Sequence, residues 1–272
     1  MSPQHPTAAG AWIRRLTPRP APSIVAGSTH AGAAPAGPTR LRLICLHPAG
    51  AGASLYRDWP AALPADVEVL AVQLPGRETR LFDPCLTDYR QVVDELHAAL
   101  RPLLTGRYAL FGHSMGAMLG YGLALAAAEH GDPAPVRLLV SGCGGPGSAP
   151  REPGRADWSD EELVADLRKM GGTPEEVLAQ PDLLDLILPP LRADYQVCEG
   201  YYQPRPQAPR LSCPISVLGG RDDNVTPADL DLWSAVTTAD TSVRLFDGGH
   251  FFLTGPAAPA VLAAVTADLA DR

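Results

Sequence analysis

From Leu41 onward, short apolar runs rich in Leu, Val and Ile alternate with longer stretches whose apolar residues recur at helical spacing. Runs of four to six apolar residues bounded by Gly, Pro or polar turns are the mark of strands buried on both faces. They predict strands near 41–46, 67–72, 108–111, 136–141, 214–218 and 241–246, and helices near 54–62, 88–104, 115–129, 227–236 and 257–270. Such alternation implies an α/β architecture, a mostly parallel central sheet with helices on both faces. Before Leu41 the rhythm is absent. Residues 1–10 and 20–39 are dominated by Ala, Pro, Gly and Ser and hold too little apolar surface to order themselves, so 1–39 is expected to be a flexible segment. Trp12-Ile13-Arg14-Arg15-Leu16 interrupts it as a candidate edge strand near 12–16 or a docking segment.

The alternation also breaks between Ser141 and Pro214, about seventy residues apart and far longer than one connection plus one helix. Within this interval Ser159-x-x-Glu162 is a capping box opening a helix whose Leu163, Leu167 and Met170 share a face, closed by Gly171-Gly172. Thr173-Pro174-Glu175-Glu176 starts another helix by the same logic. The leucine-rich stretch from Leu183 to Leu191 follows, too apolar for a solvated helix. The expected division is a core of 40–148 and 212–272 with a helical lid inserted at 149–211. Leu163, Leu167, Met170, Leu184 and Leu188 are the candidates for its greasy, pocket-facing side. Packing of the same leucines onto the body is the plainer alternative, and both can hold together.

Gly112-His113-Ser114-Met115-Gly116 follows the apolar run ending at Phe111 and opens onto the helical stretch from Met118. A serine between glycines at a strand-to-helix turn is a nucleophile elbow, which pushes the hydroxyl out above the sheet edge. An acid and a base in the order Ser, Asp, His would complete an α/β-hydrolase triad. Asp222 and Asp223 stand just past the strand containing Ile215 to Leu218, and Gly248-Gly249-His250 leaves the end of the next one. Both are loops at carboxyl ends of strands, where open parallel sheets bind ligands. The triad is read as Ser114, Asp222 and His250, with Asp223 as runner-up for the acid and Asp247 assigned to the turn. For an oxyanion hole, one backbone donor is expected at Met115, directly after the nucleophile, and the other at Ala49 in the small-residue loop His47 to Gly52. His47 is read as shaping that loop rather than as a second base.

Composition narrows the chemistry. The chain has 272 residues, enough for one α/β domain with an insertion, and a net charge of −8 with a pI near 5.3. That balance, with no basic run, argues against a nucleic-acid partner. Lys169 is the single lysine, leaving little room for P-loop or Schiff-base chemistry. Cys45, Cys85, Cys143, Cys198 and Cys213 are odd in number and scattered, so reduced thiols, no metal site and a cytoplasmic location are expected. No signal peptide and no run of ~18 apolar residues is visible, so no membrane partner is expected. Gly142-x-Gly144-x-x-Gly147 spells a dinucleotide fingerprint, but Pro146, Pro150 and Pro153 prevent the helix that would cradle a pyrophosphate.

Several of these stretches together resemble the type II thioesterases that accompany polyketide synthases and non-ribosomal peptide synthetases. The resemblance is carried by Trp12 to Arg15, Leu43 to Gly50, Leu74-Pro75-Gly76-Arg77-Glu78, Gly112 to Ala117, Gly171 to Glu175, Leu191-Arg192-Ala193-Asp194-Tyr195 and Gly248 to Phe252. The family usually has Pro-His-Ala-Gly where this chain has His47-Pro48-Ala49-Gly50, and its lead-in is shorter than 20–39. The resemblance implies an α/β-hydrolase fold. It also implies hydrolysis of acyl thioesters held on the phosphopantetheine arm of acyl or peptidyl carrier proteins, clearing stalled or misprimed units without a bound cofactor. Chain-terminating relatives often carry their acid one strand earlier, where Ser141 to Gly145 offers no carboxylate. Arg77 is read as positioning the loop, as meeting the pantetheine arm or as a plain loop ion pair, and Arg14 and Arg15 as candidates for carrier docking.

Overall fold

Seven strands form one sheet in the order β1-β3-β2-β4-β5-β6-β7: β1 Ile13–Leu16, β2 Leu41–Leu46, β3 Val67–Val72, β4 Tyr108–His113, β5 Arg137–Ser141, β6 Ile215–Gly220 and β7 Thr241–Phe246. A computed structural model of the chain describes residues 8–18, 41–149, 152–202 and 209–270. All pairings are parallel except that of the edge strand β1, which runs antiparallel to β3 with Ile13 opposite Val72 and Leu16 opposite Val69. The central strands β4 and β6 are buried at every position. That is why they read as unbroken apolar runs instead of alternating ones. The expected flexible tail through residue 10 differs at its end: Ala8–Trp12 form a helical turn, α1, and Gln73 N–H donates to Trp12 O at 2.8 Å. The remainder of that tail and the loop expected at 20–39 lie outside the described residues.

The helices that follow are α2 Trp59–Ala62, α3 Tyr89–Leu100, α4 Met115–Glu129, α5 Asp160–Met170, α6 Glu175–Leu178, α7 Pro181–Tyr201, α8 Pro227–Asp231 and α9 Ala258–Ala270. Apolar side chains of α3 and α4 build the core on one sheet face with Ile44, Leu46, Leu110 and Val140. On the other face, Tyr56, Trp59, Phe111 and α9 residues Val261, Val265 and Leu269 pack with Leu43, Cys45 and Leu139. The helix expected near 54–62 is split into a 3-10 turn, Ala53–Tyr56, and the short α2, with Pro60 near the start of the second. From β2 the chain steps to β3 on one side and then to β4 on the other, so the sheet reverses its winding between β2 and β4. At such a switch point the loops leaving the two strands diverge and open a crevice.

The insertion is helical. The Ser159 side chain accepts from Glu162 N–H and the Glu162 carboxylate accepts from Ser159 N–H, so the capping box opens α5, and Gly171 closes it at φ +73°. The leucine stretch belongs to one 21-residue helix, α7, that runs straight through Pro189 and Pro190. Ala156, Leu163, Leu188, Leu191 and Tyr195 make a small core of the insertion, joined from the body by Ala49.

Candidate active site

Both strands at the switch point end in the loops that build the site. β4 ends at His113, and Ser114 follows with φ +54° and ψ −118°, a conformation L side chains avoid and that costs ~1–3 kcal/mol. The turn is held by Ser114 N–H donating to Ser141 O at 2.7 Å and by Ala117 N–H donating to Ser114 O at 2.9 Å. Gly116 is required on steric grounds, because a Cβ there would overlap the Leu46 carbonyl of β2. Met115 occupies the first position of α4, where the backbone N–H has no intrahelical acceptor and the helix dipole is positive. Across the crevice lies the loop from His47 to Gly52. Ser114, Ala49 and His250 line one cavity of about 1060 Å³, its solvent-open mouth included.

The carboxylate beside His250 is Asp223 and not Asp222. His250 Nδ1 lies 2.9 Å from Asp223 Oδ2, and both side chains are nearly covered, 11% and 3% exposed. Asp222 is exposed, and its backbone N–H donates to Gly248 O at 3.0 Å. The reason is one of register. β6 continues to Gly220, two residues past the expected end, and Arg221 N–H still reaches Phe246 O as the ladder would. A turn closed by Asp223 N–H donating to Gly220 O then swings residue 223 back over the sheet, while 222 points outward. Gly220 has a steric duty as well, since a Cβ there would press on the carbonyls of Gly248 and Gly249 and push the histidine loop away. Asp247 sits on the surface, paired with Arg221 at 2.9 Å.

Around this set the electrostatics favour neutral, dry neighbours. His113, not singled out by the sequence reading, is buried under the ring of His250 with centroids 5.0 Å apart, and its Nδ1 lies 2.9 Å from Ser141 Oγ. Burial, helped by the proximity of His250, holds its pKa well below the usual histidine value. His47 donates from Nδ1 to Pro48 O at 2.9 Å, and burial together with the Arg77 charge lowers its pKa to about 4. It is therefore a neutral shaper of its loop. Burial pushes the Cys143 thiol up to about 12, which removes it as a competing nucleophile on the cavity wall.

Among the lid candidates, Leu167 and Met170 of α5 line the cavity, joined by Leu191 of α7. Leu163, Leu184 and Leu188 do not; they pack the insertion against itself. The cavity also has a polar wall missed by the sequence reading. Arg155, whose guanidinium donates to Asp166 at 3.0 Å and pairs with Glu152, lines it together with Tyr195, and the Tyr195 hydroxyl donates to Asp166 at 2.8 Å. Arg77 is not paired within its own loop; it holds loop backbone, donating to Pro75 O and Ala51 O at 3.2 Å each. It makes a buried two-bond pair with Asp194 of α7 at 2.5 and 2.8 Å. Gly142 to Gly144 line the cavity, and residues 145–149 after them form no helix, as Pro146 and the prolines beyond it predict. Among the described residues, no group of His, Cys, Asp and Glu is arranged to hold a metal, and the five cysteines are free thiols.

A serine at a strained elbow, a histidine fixed by a buried carboxylate and unpaired backbone N–H groups at a helix start form a set suited to acyl transfer. Comparison with known proteins decides which acyl bond. The thioesterase domain model matches residues 41–269. The chain belongs to the thioesterase family. This thioesterase is 39% identical over 219 residues to the gramicidin S biosynthesis protein GrsT of Aneurinibacillus migulanus, a match covering 79% of this chain and 83% of that one. It is 35% identical over 247 residues to the thioesterase PikA5 of Streptomyces venezuelae, covering 90% and 80%. Among solved structures, the type II thioesterase BorB from the borrelidin biosynthetic cluster superposes with a TM-score of 0.81 at 37% identity, covering 95% of this thioesterase and 98% of BorB.

Proposed function

We propose that this thioesterase is an editing enzyme of the type II class, removing acyl groups from the phosphopantetheine arms of acyl or peptidyl carrier proteins that serve a polyketide or peptide synthase. The reading rests on Ser114 and the bonded pair His250–Asp223 lining one largely apolar cavity whose walls include the insertion. Similarity to GrsT, PikA5 and BorB supports the setting. In this mechanism His250 takes the Ser114 proton while Asp223 holds the imidazole tautomer through Nδ1. Oγ adds to the thioester carbonyl, and the oxyanion is received by the N–H groups of Met115 and Ala49. Collapse of the adduct breaks the C–S bond, and His250 returns the proton to the departing thiolate. Water, deprotonated by the same imidazole, then releases the acid and restores Ser114. The phosphopantetheine arm enters as part of the substrate, and no bound cofactor takes part.

The leucine and methionine side chains on the cavity suit an acyl chain, and the polar wall around Arg155 and Tyr195 suits one bearing oxygen functions. No helix among the described residues is long and apolar enough to cross a membrane. Free thiols and synthase partners favour the cytoplasm as the site of action. The test is a comparison of hydrolysis rates for one acyl group carried on a carrier protein, on coenzyme A and as an oxygen ester. The carrier form should be turned over fastest. Equal rates would replace the editing role with that of a general acyl hydrolase.

A further inference from the structure

Ala49 is assigned above as an oxyanion donor, yet beyond Pro48 the loop is Ala49, Gly50, Ala51 and Gly52, with no polar side chain to fix that stretch. What holds it comes from elsewhere in the chain. Asp194 of α7 accepts from Gly50 N–H at 2.8 Å through the same Oδ2 that Arg77 Nη1 reaches at 2.5 Å, and Arg77 Nη2 donates to Oδ1 at 2.8 Å. Arg77 Nη1 also donates to Ala51 O at 3.2 Å. The arginine is itself anchored, with Nε donating to Pro75 O and its carbonyl accepting from Gln73 Nε2, both at 3.2 Å. Residues 50 and 51, just past Ala49, are thus gripped by one charged pair of which only 9% and 2% is exposed.

A buried ion pair is a poor source of net stability, because desolvation offsets most of the attraction. Its two-bond geometry, however, fixes direction. Leu191, one turn before Asp194 on α7, packs onto Gly50 and lines the cavity. The same helix therefore shapes the acyl chamber and grips the loop beside it.

We propose that Arg77 and Asp194 are positioning residues for the oxyanion hole, and that seating of the insertion helix α7 on the body is what brings the Ala49 N–H into register with Ser114. The inference rests on the reading of Ser114 as nucleophile and Ala49 as donor. Its consequence is that a substrate which lifts α7 also dismantles the oxyanion site, so hydrolysis waits until the insertion has closed.

The experiment compares wild type, Asp194→Asn and Arg77→Lys for kcat and KM on an acyl thioester. It also measures affinity for an alkyl boronic acid, which adds Ser114 Oγ to boron and presents a tetrahedral oxyanion, and for a thioether analogue that has the chain but no carbonyl. Displacing a donor by ~1 Å costs about 10²-fold, so Asp194→Asn should lower kcat and boronate affinity together by that order, with thioether affinity changed less than about twofold. Arg77→Lys keeps the charge but loses the fork, and should show the same pattern at roughly tenfold. If Asp194→Asn does not fold, the lysine variant decides. Unchanged kcat and boronate affinity, or boronate and thioether affinities falling in step, would overturn the proposal. Boronate binding that survives Ser114→Ala would instead remove the nucleophile assignment beneath it.

Discussion

At Asp223 a one-residue choice has a large consequence. Asp223→Asn should leave the ring of His250 in the wrong tautomer and lower kcat by about 10⁴-fold, while Asp222→Asn, exposed and bonded only through its backbone, should stay within a few-fold of wild type. Steady-state rates on one acyl thioester give the ranking, and the reverse order would return the acid to 222. Gly220→Ala tests the same corner by steric means. Its Cβ meets the Gly248 and Gly249 carbonyls, so a folded variant should lose about 10²-fold in kcat through displacement of His250. That Ser114 and His250 stand at strand ends facing one cavity is legible in the sequence, because glycines surround the serine and precede the histidine. Which aspartate lies beside His250 is not, since two adjacent aspartates differ only in how far β6 runs, and Gly219-Gly220 gives no side-chain signal of where the ladder stops.

Among the elements, strands were the easiest to read. β2, β4 and β6 are covered on both faces, so burial alone dictates their composition. α4 was equally plain, being capped by the elbow at one end and buried through nearly its whole length. The insertion was harder to read, for a physical reason: its helices have two apolar sides, one closing the acyl cavity and one packing the insertion onto itself, and spacing cannot tell them apart. Leu167 and Met170 fell on the first side, Leu163, Leu184 and Leu188 on the second. The length of α7 was hidden too, because Pro189 and Pro190 would ordinarily end a helix, whereas here tertiary packing of Pro190, Leu191, Asp194 and Tyr195 carries it through. The division of labour is testable. Leu188→Ala should destabilise the protein by ~2–5 kcal/mol in urea unfolding with KM little changed, whereas Met170→Ala should raise KM for longer acyl chains with a smaller loss of stability. A large KM effect from Leu188→Ala would place it on the cavity after all.

For the molecule as a whole, two buried neutral histidines set the acid limit of stability. His47, lowered from 6.5 to about 4, and His113, held well below the usual histidine value by burial, bind protons in the unfolded chain that the folded one refuses. Stability is therefore fully present above pH ~6.5 and is lost as pH falls towards 4, by about 2 kcal/mol for His47 between pH 7 and pH 5, with His113 acting in the same direction. Unfolding midpoints in urea at the two values check this, and a flat profile would contradict the burial of both rings. The distribution of the site along the chain has a further outcome. The residues of the elbow and of the loop after β2 are all present by residue 116, but Asp194, which grips that loop, comes on α7, and His250 and Asp223 come only after β7 and β6. On the proposed mechanism, a ribosome thus adds Ser114 long before the groups that would activate it, and the nascent chain should emerge chemically silent. Turnover should first appear when β7 has docked and carried His250 to the cavity, making hydrolysis itself a readout of that docking.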